Sequence, residues 1–139
     1  MNIYFACSIY GGRQDSEIYE QMVAALLEDG HQVPTADNAG PKYEQLEADR
    51  EPAEVYTRDS TWVRECDVLI AEVTTPSHGV GYEIAYALCH DKPVLCLASQ
   101  GTVVSKMLTG NTETAFSYQT YSTVSEGVSL MRSFLSAQT

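Results

Sequence analysis

The richest stretch for chemistry is Thr74 to Glu83, T-T-P-S-H-G-V-G-Y-E, which follows an apolar run and packs a proline, two glycines, a serine and a glutamate into ten positions. Gly79 and Gly81 leave room for a ligand to approach main-chain N–H groups at a helix start, where hydrogen bonds and the helix dipole favour an anion. Ser77 can add a hydroxyl donor to a phosphate. The spacing departs from the dinucleotide fingerprint G-x-G-x-x-G, so a plain structural turn is the alternative. Glu83 falls in the first turn of the helix, where the dipole favours an ionised carboxylate. An ionised carboxylate aimed at a ligand crevice is a candidate nucleophile; the alternative is a solvated glutamate that complements the helix terminus. Asp59 lies among Arg58, Trp62 and Val63, as a second candidate acid or as an exposed helix charge. Tyr4, on the first strand, is either core packing or a hydroxyl that needs a partner when buried.

A second glycine turn opens a helix at S-I-Y-G-G-R-Q-D, Ser8 to Asp15, and offers Ser8 and Arg13 as donors. Two such turns can flank one site. His31, His78 and His90 are far apart and have no acidic or cysteine partner at ligand spacing, and only His78 sits in a candidate loop. Cys7, Cys66, Cys89 and Cys96 contain no C-x-x-C pair, so neither a metal centre nor a disulfide framework is expected, and the thiols read as reduced and mostly buried.

Elements that could position these residues follow from the apolar patterning. Asn2 to Cys7, Asp67 to Val73 and Pro93 to Ala98 are short and rich in Val, Ile and Leu, as strands buried on both faces of a parallel sheet are. Helical patterns alternate with them at Asp15 to Asp29, Glu51 to Cys66 and Val80 to His90. Asp15 can cap the first helix, and Gly30 can end it before a further strand at His31 to Thr35. A short helix at Thr102 to Leu108, a strand at Ser117 to Tyr121 and a helix at Val124 to Leu135, after the cap-like Ser122 and Thr123, complete the chain. Helix-length crossovers between parallel strands imply an α/β three-layer sandwich with a five-stranded parallel sheet, Rossmann/flavodoxin-like, whose ligands bind at the carboxyl ends of the strands. Those ends are the loops at Ser8 to Gln14, Thr74 to Gly79 and Ser99 to Gly101. Ala36 to Arg50 reads as a polar surface loop or lid.

The 139 residues (15.3 kDa) fit one domain, residues 1–139. No apolar run approaches the length of a bilayer span, and Met1 leads into a strand without a basic leader, so a soluble cytoplasmic protein is expected. Residues 1–91 hold 17 acids against 5 bases, and residues 92–139 hold 2 against 3, giving −12 and +1 within the net −11. A surface so acidic repels nucleic acid polymers and anionic membranes, which excludes those partners.

Three stretches, Y-F-A-C-S-I-Y-G-G-R-Q-D (Tyr4 to Asp15), D-S-T-W (Asp59 to Trp62) and D-V-L-I-A-E-V-T-T-P-S-H-G-V-G-Y-E (Asp67 to Glu83), together resemble the nucleoside 2-deoxyribosyltransferase superfamily. Its branch of 2′-deoxynucleoside 5′-phosphate N-hydrolases is the most similar, and the likeness continues through K-P-V-L-C-L (Lys92 to Leu97) and V-V-S-K-M-L-T-G (Val103 to Gly110). The resemblance implies cleavage of the N-glycosidic bond of a deoxynucleoside monophosphate to free base and 2-deoxyribose 5-phosphate, with no cofactor and no metal. It implies Glu83 as nucleophile at the anomeric carbon, Asp59 as the second acid beside base and sugar, and Tyr4 as the hydroxyl that steadies the glutamate. For substrate and phosphate it implies Ser8, Ile9, Tyr10, Gly12 and Arg13 in the first loop and Ser77 and Gly79 in the second. Ser105 would be lent by the partner subunit of a homodimer. Tyr10 stands where the hydrolase branch carries an arginine, and His78 where it carries an apolar residue. The first change leaves open a transferase that exchanges bases on unphosphorylated deoxynucleosides. A ribonucleotide N-glycosidase and a non-catalytic nucleotide-binding module are the other readings.

Overall fold

The computed structural model describes residues 1–9 and 15–139. Among them, four strands, β1 (Ile3–Ala6), β2 (Val68–Glu72), β3 (Val94–Ser99) and β4 (Phe116–Tyr121), pair in parallel in that order. The helices are α1 (Ser16–Glu28), α2 (Tyr43–Glu47), α3 (Pro52–Glu65), α4 (His78–Cys89), α5 (Lys106–Thr109) and α6 (Val124–Ala137), with a 3-10 turn at Ala36–Ala39.

Side chains alternate across the pleat, so Ile3 and Phe5 face one core and Tyr4 and Ala6 the other. The first core takes Tyr19, Met22 and Leu26 of α1 and Met131 and Leu135 of α6. The second takes Val63 of α3 and Val80, Ile84 and Ala87 of α4. Three layers result, with β2 and β3 sandwiched between helices and apolar except at their last residues, Glu72 and Ser99. Tyr4 therefore points into the α3/α4 side, where Asp59 and Glu83 originate.

Among the described residues the sheet has four strands, not the expected five. His31 to Thr35 contributes only a single bridge, Gln32 against Asn2, on the free side of β1. Pro34 has no N–H to extend the ladder. The Thr35 side chain takes over instead: its hydroxyl donates to the Phe5 carbonyl at 2.8 Å and accepts from the Phe5 N–H at 3.0 Å, so the edge of β1 is satisfied without a strand.

Three local expectations change as well. Ala36 to Arg50 is not a bare loop, because Asn38, Ala39, Tyr43 and Glu47 are buried there and Tyr43 donates to Glu47 one helical turn on. Asp15 makes no side-chain cap to α1; its carboxylate accepts the Thr75 hydroxyl at 2.7 Å, tying the start of α1 to the loop after β2. Helix α5 begins only at Lys106, where Ser105 caps it, and the β-branched run Thr102-Val103-Val104, poor in helix propensity, lies before it. Gly30 has φ 82° after α1, and Thr123 caps α6 by accepting from the Glu126 N–H.

Candidate active site

The carboxyl ends of the strands are braced by a buried acid. Glu72, the last residue of β2, is fully shielded from solvent, and it accepts from the Thr74 hydroxyl, the Thr74 N–H at 3.3 Å and the Tyr121 hydroxyl at 2.9 Å. The Thr74 hydroxyl in turn accepts from the Ser99 N–H at 2.8 Å. One carboxylate thus ties together the ends of β2, β3 and β4 and fixes where the next loop leaves the sheet. Burial raises the Glu72 carboxyl above its ordinary range while these donors pull it back.

That loop turns at Pro76 and enters α4 with Ser77 as its N-cap, the Ser77 hydroxyl accepting from the Val80 N–H at 3.3 Å. The N–H groups of His78 and Gly79 precede the first full turn and have no acceptor within the helix. Glu83 lies one turn further, beyond the extreme terminus, and points toward the sheet. Its Oε1 accepts from the Tyr4 hydroxyl at 2.6 Å. Tyr4 is 1% exposed and stays a donor, its hydroxyl pushed far up by burial and by the negative charge of Glu83 and Asp59.

Glu83 keeps partial contact with solvent through the pocket while its carboxyl head is closely surrounded by protein. Burial pushes it up to about 7; the Tyr4 hydrogen bond works in the opposite direction, and nearby Asp59 and Glu47 add to the rise. Asp59, from α3, enters the same pocket. Its carboxyl is raised by burial and pulled down by the Arg58 Nε–H, which donates to Oδ1 at 2.8 Å.

Glu83, Asp59, Ser77, Gly79 and Ile9 line one pocket of ≈ 330 Å³, together with Glu47. A smaller adjoining pocket reaches Asp59 and Glu83 past Tyr56, Tyr82 and Tyr86. Tyr4, Asp59 and Glu83 are thus brought together, with Ser77 and Gly79 beside them. Ser8 is buried at the end of β1. Tyr10, Gly12 and Arg13 lie outside the described residues. Ser105 is not in the carboxylate pocket of its own chain; it caps α5 and lines, with Ser77, His78 and Met107, a larger groove of ≈ 600 Å³ between α4 and α5. His78 is exposed at the mouth.

Glu47, Tyr43 and the guanidinium of Arg58 were not singled out by sequence. Tyr43 and Glu47 are four apart, the spacing that places both on one helix face, and that was the available signal. A pocket lined by three carboxyl groups can stabilise developing positive charge and can offer an oxygen nucleophile. Among the described residues no cluster of metal-ligating side chains occurs, and no helix is long and apolar enough to cross a membrane.

The profile of the nucleoside 2-deoxyribosyltransferase family matches residues 3–128. A Methanosarcina mazei protein that carries the provisional name 2′-deoxynucleoside 5′-phosphate N-hydrolase 1 is 42% identical over 86% of this chain and 74% of its own. The zebrafish (Danio rerio) 5-hydroxymethyl-dUMP N-hydrolase is 41% identical over 79% of this chain and 78% of its own. Among solved structures, the Clostridium botulinum CMP N-glycosidase superposes with a TM-score of 0.72 at 21% identity, over 95% of this chain and 98% of that one, which shows a shared fold.

Proposed function

This chain belongs to the nucleoside 2-deoxyribosyltransferase family, and from that premise we propose that it is an N-glycosidase that hydrolyses 2′-deoxynucleoside 5′-monophosphates to free base and 2-deoxyribose 5-phosphate. The observation that carries the reading is the 2.6 Å hydrogen bond from Tyr4 to Glu83 in a pocket that also holds Asp59. Glu83, when ionised, attacks the anomeric carbon as the bond to the base breaks, and the oxocarbenium-like charge that develops is met by its carboxylate. The glycosyl ester is then opened by water, returning Glu83 and releasing the sugar phosphate. Asp59 orients the sugar and assists the proton that the departing base must gain. Tyr4 holds Oε1 in place and leaves Oε2 for the attack.

The 5′-phosphate is received by the Ser77 hydroxyl and the main chain at Gly79, at the positive end of α4, beside Ile9; the family resemblance adds Ser8, Tyr10, Gly12 and Arg13 of the first loop as its further contacts. Ser105 of a second subunit completes that site, so the working species is a cytoplasmic homodimer. Neither a metal nor an organic cofactor has a step to perform. The second reading, base exchange on unphosphorylated deoxynucleosides, is favoured by one residue, Tyr10, which removes a guanidinium from the expected phosphate contacts.

Incubation with each deoxynucleoside monophosphate and its unphosphorylated counterpart, with and without a competing free base, separates the readings by chromatography. Base release from monophosphates alone is the expected result. Formation of a new nucleoside from the competing base would make the protein a transferase, and tight nucleotide binding without turnover would make it a binding module.

A further inference from the structure

Arg58 stands at the centre of a hydrogen-bonded cluster beside the catalytic pocket. Its Nε–H donates to Asp59 Oδ1 at 2.8 Å, and its Nη2 donates to Glu47 Oε1 at 2.8 Å and to the Tyr43 hydroxyl at 2.6 Å. Tyr43 donates to the same Glu47 oxygen. The guanidinium also lies 5.0 Å from the centre of the Trp62 ring, one turn along α3. Glu47 is 6% exposed, so one end of the fork is anchored in protein while the other grips the carboxyl that faces the pocket.

An internal ion pair of this kind is weak evidence for a purely stabilising role, because the desolvation of both partners offsets most of their attraction. It fixes geometry well, because a planar guanidinium addresses two carboxylates at set angles. Asp59 Oδ1 is occupied by Arg58, which leaves Oδ2 for the pocket. The groups that face Asp59 are Arg58 on its own helix, Glu47 of α2 with Arg50 just beyond it, Glu83 of α4, and Tyr4 of β1. Among the described residues, Arg58 is the cation that contacts it directly.

We propose that Arg58 is a positioning residue: it clamps α2 to α3 through Tyr43 and Glu47 and thereby holds the Asp59 carboxylate in one orientation toward the substrate. It acts through Asp59 and touches no reacting atom. The kinetic part rests on the N-glycosidase reading above; the positional part does not.

The test uses Arg58→Met, which removes the charge and the fork, Arg58→Lys, which keeps the charge and loses the fork, and Asp59→Asn alone and combined with Arg58→Met. Titration of Asp59 followed through its carboxyl carbon by NMR is expected to move to higher pH in Arg58→Met, and an unchanged titration overturns the proposal. On the deoxynucleotide that the wild type cleaves, Arg58→Met is expected to lower kcat roughly tenfold with little change in KM, with Arg58→Lys between it and the wild type. In the Asp59→Asn background the same substitution is expected to cost less than about twofold. Losses that multiply instead would show that Arg58 acts independently of Asp59 and would contradict the proposal. If the wild type releases no base, the N-glycosidase reading fails by itself, and the Asp59 titration still decides the role of Arg58. Arg58→Gln, which also removes the charge, serves the same titration if Arg58→Met does not fold.

Discussion

The reactive residue of the account is a glutamate held in tension between two needs. Its carboxyl must ionise to attack, yet burial beside Asp59 and Glu47 pushes it up to about 7, and only the Tyr4 hydroxyl draws it back down. Activity in the free enzyme, read as kcat/KM, is therefore expected to rise with pH through about 7. Removing the Tyr4 donor moves that limb upward: Tyr4→Phe should shift the rising limb to higher pH and lower the rate at neutral pH, and an unshifted limb would contradict the role given to Tyr4. The same burial has a cost in stability with a definite sign. A carboxyl whose pKa is higher in the folded than in the unfolded chain stabilises the fold fully below its unfolded value, and that contribution is lost as pH rises through the folded one. Glu83→Gln, which cannot ionise, should thus gain relative to the wild type between pH 5 and pH 8, by on the order of 2 kcal/mol in denaturant unfolding. An equal difference at both pH values would argue against a perturbed Glu83.

At the scale of elements, the site depends on how three strand ends are locked to one loop. Thr74 both donates to Glu72 and accepts from the Ser99 N–H, so Thr74→Val leaves a buried carboxylate and a main-chain donor short of partners. A loss of about 1–3 kcal/mol in urea unfolding, with an unchanged m value, is expected. This arrangement was only partly legible in the sequence. The buried runs at Val68 and Val94 and the helices at Ser16, Pro52 and Val124 follow directly from apolar period, and Glu83 and Asp59 were placed near one another by the family resemblance. The fifth strand was not, because whether His31 to Thr35 extends a ladder depends on Pro34 and on a hydroxyl that replaces main-chain bonds, a tertiary choice invisible to periodicity. The role of Ala36 to Arg50 was hidden for a similar reason: its polar composition reads as solvated, whereas Tyr43 and Glu47 turn inward to meet Arg58 from a helix eleven residues away.

At the scale of the whole molecule, the acids concentrate in the first two thirds of the chain, and the last third carries the near-neutral segment with Ser105. Val103 and Met107, beside it, are 94% and 83% exposed and rim the groove between α4 and α5. The homodimer proposed here predicts a sedimentation mass twice the 15.3 kDa of one chain, and Met107→Glu should shift it toward a single chain while raising KM for a monophosphate more than for its nucleoside. A species that sediments as one chain and is fully active would remove the partner's serine from the phosphate site. The central claim is that Glu83 breaks an N-glycosidic bond. Its most direct test is release of free base from 2′-deoxynucleoside 5′-monophosphates by the wild type and by Glu83→Gln at matched concentration and verified folding. Release by the wild type that falls by at least about a thousandfold in Glu83→Gln is the predicted result. Equal release by the two proteins, or none by the wild type with any deoxynucleotide, would contradict it.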